Sequence, residues 1–130
     1  MKGLIHPVIL VISAMTIVSG LIQLVSPGFV LRFTGAEQTE TGRHFFAIIG
    51  MFMILFGGLM IHTVYSTASG TAAIFWCALQ KLGASLAVFI GIIKGVFALQ
   101  AGLVAGFDLL SGILFLYYLQ YRKQIDSITL

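Results

Sequence analysis

Residues 72–119 read AAIFWCALQKLGASLAVFIGIIKGVFALQAGLVAGFDLLSGILFLYYL, two apolar runs, 72–93 and 97–119, joined at Lys94-Gly95. Each run is long enough to cross a ~30 Å hydrocarbon core as a helix. Each also carries one charge near its middle, Lys81 in the first and Asp108 in the second. A charge at the bilayer centre costs about 2.5–3.5 kcal/mol on insertion scales, so an ionisable residue there is expected to have a partner and a purpose. When the runs fold back about Lys94-Gly95, residues equidistant from the turn share a depth, and Lys81 and Asp108 are equidistant. The spacing predicts an intramembrane ion pair.

Two further apolar runs lie upstream, 4–25 (LIHPVILVISAMTIVSGLIQLV) and 43–65 (RHFFAIIGMFMILFGGLMIHTVY). With 59% hydrophobic and 8% charged residues and a mean hydropathy of +1.09, the composition lies far from that of a soluble domain. The expectation is an all-α integral membrane four-helix bundle, antiparallel up-down-up-down, with 1–130 as a single transmembrane domain and the bilayer as its first partner. Four spans leave only short connections, which excludes an extramembrane catalytic domain within these residues. Lys2 ahead of an apolar run resembles a secretory signal, but apolar character continues to Val25, so the first helix is expected to be retained.

Cys77 is the single cysteine, which excludes an internal disulfide and thiolate metal clusters and leaves a small apolar residue inside the third run. The net charge of +3 forms no polybasic tract, so nucleic acid is not expected as a partner. An even number of spans places both termini on one side. The flanking basic residues balance, Lys2, Arg122 and Lys123 against Arg32, Arg43 and Lys94. Snorkelling of Lys81 toward the terminal side tips this count to cytoplasmic ends.

Small residues let membrane helices approach closely. The expected helix-packing positions are Gly50 and Gly57 in the second run, Gly91 and Gly95 closing the third, and Gly102 and Gly106 in the fourth. In the first run His6, Ser13, Thr16, Gly20 and Gln23 share one broad stripe at helical spacing. Interhelical hydrogen bonding explains such a stripe. The functional reading is a polar cleft lined by Ser13, Thr16, Gln23 and Gln80 beside Lys81 and Asp108.

No metal and no cofactor are expected. His6 and His62 are the only candidates for haem or chlorin ligation, and both lie near span ends, where histidines ordinarily meet water and headgroups. The connection 26–42 (SPGFVLRFTGAEQTETG) opens with a Pro-Gly stop, continues as an interfacial segment around Phe29 to Phe33, and ends in a polar tip where Glu37 and Glu40 are solvated. Trp76, Tyr117, Tyr118 and Tyr121 are expected at the opposite interface.

A helix ending in Ser26-Pro27, Arg43 opening a glycine-rich second helix (RHFFAIIGMFMILFGG), a lysine in the third and an aspartate in the fourth (FDLLSGILFLYYL) together resemble the small four-helix DoxX-like membrane proteins. That resemblance implies the fold and a place among accessory subunits of membrane systems, and it carries over no catalytic residue. The chain lacks a recognisable nucleophile–base arrangement, so an enzyme is not expected. The expected function is a small non-catalytic accessory or scaffold subunit packed against larger membrane protein partners. The alternative is a small transporter, or a bundle that binds a lipophilic, quinone-like ligand through Lys81 and Asp108.

Overall fold

In the computed structural model, which describes residues 2–129, the first apolar run forms helix α1 (Lys2–Val25) and stops at Ser26. Pro27 then starts a second, short helix, α2 (Pro27–Thr34), at the one helical position where its missing N–H is harmless. The aromatic segment of the 26–42 connection is thus a true helix. It ends at Gly35 (φ 70°), where the N–H of Gly35 bonds Arg32 O and that of Ala36 bonds Leu31 O. This left-handed cap favours glycine.

Helix α3 (Glu40–Tyr65) starts three residues before the apolar run at Arg43, because Thr39 in extended conformation caps it, accepting the Gly42 N–H at 2.9 Å. Helix α4 (Thr71–Ile93) follows Gly70, and α5 (Ala101–Thr129) completes the chain. Four of these helices, all but α2, are long and apolar enough to cross a membrane.

The turn before α5 is longer than Lys94-Gly95. Gly91 O accepts from both Val96 N (2.8 Å) and Phe97 N (3.2 Å), Gly95 takes a positive φ of 77°, and Ala98 N donates to Thr34 O at 2.7 Å. Residues 97–100 therefore belong to the turn rather than to the helix, and Gly95 is a turn residue with nothing within 4 Å of its would-be Cβ. At its other end α5 runs well past Leu119. Arg122, four residues after Tyr118, is folded inward there.

The helices associate mainly as two pairs, α1 with α3 and α4 with α5, and contacts between the pairs are sparse. Glycine makes the α1–α3 approach possible. A Cβ on Gly50 would lie 2.6 Å from Gly20 O, and one on Gly57 would lie 2.9 Å from Ser13 O, so backbone meets backbone there. In the other pair the close contact is Gly112 against Leu82. Gly91 packs under the Phe97 ring of its own turn, Gly102 meets only Ile92 at ordinary van der Waals distance, and Gly106 meets nothing within 4 Å. Gly95 and Gly106 thus make no close helix contact among the described residues.

The buried core lies toward one end, formed by Ile5 and Ile9 of α1, Met60 of α3, Ile74 and Cys77 of α4, and Phe115 and Tyr118 of α5. Tyr118 is fully buried there. Arg122 locks this end. Its Nη1 donates to Thr63 O (3.2 Å) and Tyr118 Oη (3.0 Å), and its Nη2 to Ala68 O (2.8 Å), Ser69 O (3.2 Å) and Ser66 O (3.4 Å). The side chain counted as a flanking charge is a buried clamp on the α3–α4 connection. The other end, toward α2, is open between the pairs.

Candidate ligand cleft

Lys81 leaves the inner face of α4 and its Nζ sits 3.0 Å from Asp108 Oδ1 on α5 and 2.8 Å from Thr16 Oγ1 on α1. Thr16 accepts this bond while its own hydroxyl donates to Ile12 O at 2.9 Å, so its oxygen is held facing the ammonium. The Phe107 ring adds a cation–π contact, with Nζ 5.1 Å from its centroid. One turn along, Ser85 Oγ donates to Ala105 O at 2.8 Å, a second rung between α4 and α5 beside the ion pair. The lysine is buried and points inward, which removes the snorkelling argument for orientation.

The two charges meet in spite of the longer turn. Ala101, Gly102 and Leu103 donate to carbonyls three residues back, so the chain is already winding along the α5 direction before the helix proper starts. This compensates for the shorter distance from Ala101 to Asp108 than from Lys81 to Ile93.

The ion pair forms part of the wall of a cleft of about 440 Å³ between α1 and the α4–α5 pair. Thr16 and Gln23 line its α1 side, Val104, Phe107 and Asp108 its α5 side, and Phe29 and Phe33 of α2 its far end. Its volume lies in the range of about 300–1,000 Å³ usual for small-molecule sites, and its surface is mostly apolar with a few convergent polar atoms, as such sites are. Met15 and Leu103 on its rim are exposed on the outside of α1 and α5, so the cleft opens laterally.

Of the residues singled out in the sequence, Thr16, Gln23, Lys81 and Asp108 meet in this cleft. Gln23 is anchored, its Nε2 donating to Phe46 O at 2.9 Å. Ser13 and Gln80 do not reach it. They line a separate cavity of about 10 Å³ behind Lys81, where Ser13 Oγ is sealed without a hydrogen-bond partner. His6 packs edge-on against Tyr118 and Tyr121, with ring centroids 5.3 and 5.7 Å apart, and His62 is exposed. Among the described residues no group of three His, Cys, Asp or Glu side chains is placed to hold a metal ion.

No protein-family model, curated protein or solved structure matches this chain. What the site can do follows from its own atoms: a paired lysine and aspartate, a fixed hydroxyl, and an apolar chamber open to the side. Sequence reading missed Ser85, Phe107 and the α2 aromatics. A serine four residues after Lys81 was a visible signal, whereas the α2 contribution depends on how the 26–42 connection folds back.

Proposed function

We propose that this chain is a multi-pass integral membrane protein, its four long helices spanning the bilayer in antiparallel up-down-up-down order. In this reading its cleft takes up a lipophilic small molecule from the bilayer. The observation that carries the proposal is the ion pair in the cleft wall. Each desolvated ion carries a penalty of several kcal/mol that pairing alone does not offset, so a polar group entering beside the pair and completing its hydrogen bonds is favoured. Here the Asp108 side chain retains 13% exposure, against 4% for Lys81, and it faces a chamber rather than close-packed atoms. Lateral opening suits a ligand that arrives through hydrocarbon.

A photoactivatable alkyl probe added to the protein in phosphatidylcholine nanodiscs tests this. Labelling is expected on Val104, Phe107 and the α2 aromatics, and Val104→Trp, which fills the chamber from its partly exposed wall, is expected to abolish it while leaving the melting temperature within a few degrees. Labelling spread evenly over the outer helix faces, or unchanged by Val104→Trp, would refute a ligand cleft.

The accessory-subunit reading has one specific observation in its favour: Gly58 and Gly106 have nothing within 4 Å of a would-be Cβ. These positions leave room for close approach of another membrane helix. In that case the chain is isolated from mild detergent as part of a larger complex.

A further inference from the structure

We infer that the molecule bound in the cleft carries an uncharged hydroxyl head, seated against the Lys81–Asp108 pair, on a hydrophobic body. The inference rests on the cleft reading above and specifies its ligand chemistry.

Charge comes first. Among the described residues Lys81 and Asp108 are the only charged side chains lining the cleft, and at 3.0 Å they cancel. A carboxylate or phosphate head is attracted by the ammonium and repelled by the adjacent carboxylate, an ammonium head the reverse. Neither gains the net Coulomb energy needed to offset the penalty of leaving water. A neutral head meets no such penalty and interacts with a strong local dipole.

Hydrogen-bond valence narrows the class further. An ammonium has three donors. Two are directed at Thr16 Oγ1 and Asp108 Oδ1, which leaves one. The carboxylate accepts from Lys81 through Oδ1, and among the described residues no hydrogen bond reaches Oδ2. The wall thus presents one unused charged donor and one unused charged acceptor side by side. An ether, ester or ketone satisfies only the lysine. A group that accepts and donates through one oxygen, an alcohol or a phenol, satisfies both at once. Hydrogen bonds to charged groups are the stronger kind, and an unmatched partner loses most of that gain.

The body is set by the rest of the chamber, where Phe29, Phe33, Val88, Phe97 and Val104 offer rings and branched chains toward α2. A hydroxyl head with an alkyl or aromatic body fits this mostly apolar lining, in which Ser19, Gln23 and Thr34 are further polar side chains.

Competition against the photoactivatable probe, on the intact protein in phosphatidylcholine nanodiscs, reads out the head group. The competitors share one chain and differ only in the head: dodecanol, dodecyl methyl ether, dodecanoate and dodecylamine. Dodecanol is expected to displace the probe at a concentration about ten-fold lower than the other three, since one charge-assisted hydrogen bond is worth at least that factor. In the double variant Lys81→Met with Asp108→Leu, alcohol and ether are expected to become equal. If the ether or a charged analogue competes as well as the alcohol, or if the alcohol keeps its advantage in the double variant, the head-group inference is overturned and the cleft reading stands. If no probe labels the cleft, both are overturned.

Discussion

Lys81 announces itself in the sequence because a charge in an apolar run needs a partner, and equal spacing from a turn points to Asp108. The structure adds the third member, Thr16, which lies in another helix and has no spacing relation to either. Arg122 shows the limit of such reading. Its partners are Tyr118 and the carbonyls of Thr63, Ser66, Ala68 and Ser69, and backbone acceptors leave no mark in a sequence. For the ion pair, single and double substitutions are expected to differ in kind. Lys81→Met leaves the Asp108 carboxylate buried without its partner, and Asp108→Leu does the same to the ammonium. Each is expected to destabilise by about 3–5 kcal/mol, and the double change to lie within about 1 kcal/mol of the parent or above it. Unfolding in mixed detergent micelles measures all three. Single variants as stable as the parent would mean that water or headgroups already solvate both charges, and the pair would lose its structural role.

At the scale of elements, apolar length and capping residues locate the helices, and what escapes is rotation and turn geometry. Phe97-Ala98-Leu99-Gln100 contains no helix breaker, yet the Gly91 carbonyl and the Phe97 ring set against Gly91 hold this stretch in the turn. The glycine content of the runs likewise signals close packing without saying which glycines face a neighbour. Gly50 and Gly106 separate the two situations. An alanine Cβ at position 50 would lie 2.6 Å from Gly20 O and 2.8 Å from Leu24 N, both backbone atoms that cannot rotate away. Gly50→Ala is therefore expected to push α1 and α3 apart and to destabilise by about 1–3 kcal/mol, as overpacking does. Gly106→Ala meets open space, so the helical preference of alanine, up to about 1 kcal/mol, leaves it neutral or slightly stabilised. Equal melting temperatures for the two variants would show that the α1–α3 contact is looser than its geometry implies.

For the whole molecule, composition alone points to an all-helical chain with four helices able to cross a membrane, while the grouping into two pairs escapes it. That grouping depends on where small residues fall on each helix face, and it decides that one end is filled by Ile9, Met60, Ile74 and Tyr118 while the other keeps a chamber. A ligand arriving through lipid requires these four helices to span the bilayer, and the connections supply the test. In the proposed topology the α2–α3 and α4–α5 connections lie on one face of the membrane, and the α3–α4 connection and the end of α5 on the other. Cys77 is 2% exposed, so the parent protein is expected to stay silent toward a membrane-impermeant maleimide and needs no background substitution. Introduced cysteines at the exposed positions Gln38 and Val96 are expected to react from one side of sealed vesicles, and those at Thr67 and Gln124 from the other. Reaction of Gln38→Cys and Thr67→Cys from the same side would mean that α3 does not cross. The cleft would then face water, and its occupant would arrive from solution rather than from the bilayer.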